Sequence, residues 1–203
     1  MRKLIKILFL CDILVLLVIF GMLMADKDTL SDGVIRMHVV ANSDSSEDQA
    51  VKLKVKDAIT ELLEPQMLQL PDPQSARAYL EDNLDNIQLT ADNVLMKEGS
   101  SLKAKVTLCR EEFPVRHYDT FSLPSGVYES LRVTIGEGEG KNWWCVVFPS
   151  LCIPASSQGM ESCAAGAGFS NTLSSSLTGE NGYKISFFIL DCIGKLENLF
   201  HRG

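Results

Sequence analysis

The hydrophobic pattern changes abruptly along this chain. Arg2, Lys3 and Lys6 come first, residues 7–25 are apolar except for Cys11, Asp12 and Gly21, and Asp26, Asp28 and Asp32 follow. An apolar run of about nineteen residues is close to the length that crosses a bilayer. Cations ahead of it and acids behind it orient the segment so that the bulk of the chain lies outside the cytoplasm. Asp12 falls near the cytoplasmic end, where water is within reach. Residues 1–25 therefore read as a signal peptide or a transmembrane anchor. Ala25 suits the −1 position of a cleavage site and Leu23 does not suit −3, so both readings stay open.

Residues 26–33 read as a polar linker. Val34–Val40 is β-branched and predicts a strand. Asn42, Ser43, Asp44 and Ser45 are turn and cap residues, and a helix starts at Ser45 or Ser46 with Glu47 and Asp48 in its first turn. Val51, Val55, Ala58, Ile59 and Leu62 share one face of it at helical spacing. A second helix is predicted from Gln74 to about Met96, with Ala76, Leu80, Leu84, Ile87, Ala91 and Val94 as its apolar stripe. Leu102, Ala104, Val106 and Leu108 alternate with polar residues, the period of a half-buried strand. Strands are also expected over Phe113–Phe121 and Tyr128–Ile135, with a turn at Leu123–Gly126. Asn142–Phe148 is apolar on both faces and predicts a central strand. Gly136-Glu-Gly-Glu-Gly140 reads as a glycine hairpin loop between the last two strands. The order suggests an α+β domain with a mostly antiparallel sheet and two N-terminal helices packed on it, covering 34–153. A Gly/Ser-rich linker, 154–182, and a C-terminal helix, 183–203, complete the chain, with Gly194 weakening the latter.

A formal charge of −7 argues against a nucleic-acid binder and against charge-driven attraction to anionic lipid. Of six cysteines, Cys11 lies in the apolar segment, and no Cys-x-x-Cys pair exists among Cys109, Cys145, Cys152, Cys163 and Cys192. A zinc site is weakly supported on that pattern, and no metal or cofactor is expected.

Two segments are distinctive. One is Ile35-Arg-Met-His-Val-Val-Ala-Asn-Ser-Asp-Ser-Ser-Glu-Asp-Gln49 with Lys52–Ala58. The other is Pro124–Tyr128 followed by Leu131-Arg-Val-Thr-Ile-Gly-Glu-Gly-Glu-Gly-Lys-Asn-Trp-Trp-Cys-Val-Val-Phe-Pro-Ser-Leu-Cys152. Together they resemble the stage II sporulation protein R family of endospore-forming bacteria over roughly Val34–Cys152. The resemblance implies a protein exported from the forespore into the space between two membranes. There it would trigger a membrane-embedded aspartic protease that processes pro-sigma-E. It implies a protein ligand rather than an enzyme, with that protease as partner and the membrane reached through the N-terminal segment.

Such a ligand needs a surface, and the candidate partner-binding residues are Arg36, His38, Asn42, Asp44, Glu137, Glu139, Asn142, Trp143 and Trp144. Trp143 and Trp144 are adjacent on a strand and point to opposite faces, so one is core and the other either lies under a covering helix or stands exposed as an aromatic anchor. Arg36 and His38 share one face, read as solvated, and join the second segment if their strands are neighbours. The glycine loop lacks the Lys-Ser/Thr of a phosphate loop, and its glutamates would repel an anion. Asp44, Glu47 and Asp48 have capping positions rather than EF-hand spacing. The competing reading is an extracytoplasmic thiol or cell-wall hydrolase with Cys145 as nucleophile and His38 or His117 as base. A thiol inside an apolar strand is poorly placed for that role.

Overall fold

The computed structural model describes residues 2–118, 121–149, 177 and 184–201. The predicted linker at 154–182 lies, but for Leu177, outside them.

The leader is a helix, α1 (Arg2–Gly33), and it has the length and apolarity to cross a membrane. Leu4 to Phe20 stand exposed, whereas Lys27, Leu30 and Ser31 are buried against the body. The segment expected as a linker, 26–33, is thus the last two turns of α1, docked on the sheet. Only Val34 separates it from β1 (Ile35–Val40).

Ser45 caps α2 (Ser46–Met67) by accepting from the Asp48 backbone N–H at 3.1 Å. Val55, Ile59, Leu63 and Met67 form its buried stripe. Asp72 caps α3 (Pro73–Asp82), whose first residue is a proline that has no N–H to satisfy. The single helix expected from Gln74 to Met96 is two, α3 and α4 (Leu84–Lys97), broken at Asn83. The apolar stripe continues across the break, so periodicity alone could not reveal it. The Asn83 side chain donates to the Tyr79 carbonyl at 2.8 Å, a local bond that competes with the helical ladder.

The strands are β2 (Ala104–Phe113), the short pair β3 (Arg116–His117) and β4 (Ser122–Leu123), β5 (Gly126–Ile135) and β6 (Asn142–Phe148). The predicted strand Phe113–Phe121 is therefore the end of β2 plus β3. Four strands form the main sheet in the order β2-β5-β1-β6, antiparallel except for β1 beside β5. The α+β class with a mostly antiparallel sheet is as expected. β6, predicted to be central, is an edge strand among the described residues, with its apolar residues packed on both faces of the sheet. At the opposite edge, two outward N–H groups of β2 are satisfied by α4, through Asp92 to Ala104 at 2.8 Å and Gln88 to Val106 at 3.2 Å.

Both faces of the sheet are buried. Odd-numbered residues of β1, β5 and β6 (Met37, Val39, Leu131, Val133, Cys145) pack under α2, α3 and α4. On the other face, Phe113, Tyr128 and Val146 pack with Leu30 of α1, Leu123 of β4 and Leu190 of the last helix, α5 (Lys184–His201). Gly194 lets α5 approach the Ser125–Gly126 backbone, because a Cβ there would overlap the Ser125 carbonyl. Asp191 accepts from both the backbone N–H and hydroxyl of Ser125, at 3.0 and 2.7 Å. The glycine expected to weaken this helix is what allows it to dock.

Candidate partner-binding surface

β5 and β6 do not pair with each other, because β1 lies between them. The loop 136–141 is thus not the hairpin loop expected from the sequence. It crosses the C-terminal end of β1, two strand spacings or roughly 10 Å, over the segment by which β1 leaves for α2. The crossing is close: a Cβ on Gly136 would overlap the Asn42 side chain, and one on Gly140 would overlap the Ser43 carbonyl.

The two loops lock together. The backbone N–H of Glu137 donates to Asn42 Oδ1 at 3.1 Å, that of Lys141 to Asp44 Oδ1 at 2.7 Å, and that of Gly140 to the Ala41 carbonyl at 2.9 Å. Asp48 accepts from Ser43 and Asn42 at 2.5 and 2.9 Å, and those bonds hold its carboxyl below the ordinary aspartate value. Lys52, buried on α2, donates to the Lys141 carbonyl at 2.9 Å. Asp44, Glu137, Glu139, Lys141 and Asn142 remain exposed on this corner. Asn42 is an internal strut of the corner, partly covered.

The two tryptophans do point to opposite faces. Trp143 is 38% exposed, with Lys56 Nζ 5.1 Å from its ring centroid. Trp144 is half-buried, stacked on His38 at 3.8 Å and set edge-on to Phe113 at 4.8 Å. Trp143 is therefore the one that can serve as an exposed anchor.

Arg36 and His38, expected on a solvated face, are buried beneath the layer built by α1, β3, β4 and α5. β1 does neighbour β6, and His38 stands opposite Trp144. His38 Nδ1 bonds Glu111 Oε2 at 3.0 Å, and Nε2 faces the Asn142 amide at 2.9 Å. Burial would raise the Glu111 carboxyl, but His38, Ser130 at 2.5 Å and Arg132 at 3.1 Å outweigh it and hold it below the usual range. A polar seam thus crosses the sheet from Glu111 on β2 to Asn142 on β6. Glu111, Ser130 and Arg132 were not singled out by sequence; only the register shows that they meet His38.

Arg36 is fully buried, with its guanidinium carbon 4.0 Å from the Phe113 ring centroid and 5.0 Å from that of Tyr128. Nη2 donates to the Tyr118 hydroxyl at 3.3 Å, while Nε and Nη1 find no acceptor among the described residues. Burial pushes this guanidinium below its usual pKa, with Tyr118 and Tyr128 opposing the shift. Cys145 lies on the helix-covered face, whereas His38 points to the other face, so these two do not form a thiol–imidazole pair. His117 bonds Ser122 at 2.8 Å and lies against Phe187.

Comparison with known proteins adds the lineage. A family model described as stage II sporulation protein R matches residues 31–158. The stage II sporulation protein R of Bacillus subtilis (strain 168) is 34% identical over 123 residues, 61% of this chain and 55% of that protein. The match therefore spans little more than half the length of that relative. No solved structure matches. With more than half of its length matched, the chain belongs to the stage II sporulation protein R family.

Proposed function

We propose that this chain is an extracytoplasmic signalling protein of endospore formation, exported from the forespore into the intermembrane space. There it activates a membrane-embedded aspartic protease that processes pro-sigma-E. Family membership supports the sporulation role, and the charge order around the apolar leader supports export. The observation that carries the reading is the locked corner of loops 41–45 and 136–141 with exposed Trp143 beside it. β1 begins one residue after α1 ends, and its six residues place the corner roughly 20 Å from that junction. On this reading the acidic corner and its tryptophan, at the far end of β1 from the leader, are the surface that meets the partner. A ligand of this kind works by binding the protease's active state more tightly than its resting one. A preorganised surface suits that task because little ordering entropy is lost on docking.

The test is co-expression of the full chain with the protease and the pro-sigma factor in a non-sporulating host, scoring cleavage. Trp143→Ala is expected to weaken activation by roughly 30-fold, the loss of about 2 kcal/mol from a truncated aromatic anchor. Undiminished cleavage by a folded Trp143→Ala chain would remove Trp143 as anchor.

A further inference from the structure

The last helix packs beside the end of the leader. Leu30 and Leu190 share one apolar cluster, and nearer the leader Lys27 of α1 pairs with Glu197 of α5 at 2.6 Å. α5 therefore descends towards the leader as it runs to its C-terminus. Lys27 lies two residues beyond Ala25, the end of the apolar run, a rise of about 3 Å in a helix. Glu197 thus stands at the level where α1 leaves the bilayer. Leu23 and Met24, inside the apolar run, are already half-buried, so the body meets α1 at lipid depth.

Within one turn of Glu197, Leu196 is 57% exposed, Leu199 67% and Phe200 81%. The opposite face of α5 is spent on docking, through Leu190, Asp191 and Gly194. An apolar face at that height, turned away from the protein, meets acyl chains and headgroups rather than water.

We propose that the C-terminal turn of α5, through Leu196, Leu199 and Phe200, is seated in the outer face of the same phospholipid bilayer that α1 crosses. The occupant of this face is lipid, and the chain contacts its membrane at two points. This rests on the reading of α1 as a retained membrane span. The two contacts fix the tilt of the sheet, which a single helical tether would leave to swing.

The full chain is reconstituted into phosphatidylethanolamine–phosphatidylglycerol nanodiscs with a benzophenone amino acid at one position. Photolysis at Leu14, in the middle of α1, reports the span; at Phe200 it reports α5; at Leu89, exposed on α4, it reports background. Lipid adducts from 14 and 200 but not from 89 are the expected result. Adducts from 14 without any from 200, or adducts from 200 to protein alone, overturn the seating of α5 and leave the span intact. No lipid adduct from 14 overturns the span and the seating with it.

Discussion

Replacing Arg36 by methionine tests a charge buried in the core. The guanidinium is fully buried, and Nε and Nη1 lack acceptors among the described residues. A buried donor left without a partner costs about 1–3 kcal/mol, so two cost roughly 2–6 kcal/mol. The Phe113 and Tyr128 rings return part of this, on the order of 0.5–2 kcal/mol for each desolvated cation–π contact. Methionine has a similar length, fills the same slot and makes sulfur–aromatic contacts of about 0.3–1.5 kcal/mol without the desolvation penalty. Arg36→Met is therefore expected to leave stability unchanged or raise it by about 1–4 kcal/mol, as in other replacements of buried charge. For a body of this size that is a rise in Tm of about 2–4 °C per kcal/mol. Thermal melts of the full chain, followed by tryptophan fluorescence, read it out. A loss of more than about 2 kcal/mol would show that the guanidinium is a satisfied part of the fold, and the reasoning fails. If stability rises while the proposed protease activation falls, the charge is retained for function at a cost in stability.

Three further outcomes follow from named contacts. Gly194→Ala should stabilise an isolated α5 by about 1 kcal/mol, yet the overlap with the Ser125 carbonyl should destabilise the protein by about 1–3 kcal/mol and raise hydrogen exchange in α5. Faster exchange would not be seen if the helix docked without that close approach. Glu111 has a folded carboxyl pKa below its ordinary value of 4.5, so it contributes stability above pH 4.5 that is lost as the pH falls through the folded value. The stability gap between wild type and Glu111→Gln should therefore be open at neutral pH and close in acid; a gap constant from pH 3 to 7 would contradict the seam. Gly140→Ala should loosen the corner and reduce activation with Trp143 still in place, and two-loop exchange protection equal to wild type would refute the lock.

The sequence pattern reached the apolar leader, β1, β5, β6 and the first helix because each rests on a local period or a cap. It did not reach the break at Asn83, since the stripe from Ala76 to Val94 keeps its phase through it. Strand order lay beyond it as well. Val146 and Phe148 are apolar whether a strand covers them or helices do, so an edge strand buried on both faces reads as a central one. The same gap hid the crossing loop, whose glycines fit a hairpin equally well. Of the candidate surface, Trp143, Asp44, Glu137, Glu139 and Asn142 are exposed, while Arg36 and His38 are not. Their face is covered by the end of α1 and by α5, and no alternation within β1 could show a layer supplied from residues 27–31 and 187–198.

That covering layer ties the two ends of the molecule to one strand. β1 starts where α1 docks and ends beneath the crossing loop, so its backbone is the shortest covalent path from leader to corner. The polar side chains it turns towards the covered face, Arg36 and His38, are held by β2, β3–β4 and β6 partners rather than by one neighbour. A strand clamped on both sides and both faces transmits position without slack. If α5 also rests on the lipid, the height and tilt of Trp143 above the membrane are set by the fold. A partner anchored in the facing membrane would then meet the corner in one orientation, which favours a productive encounter over a merely frequent one.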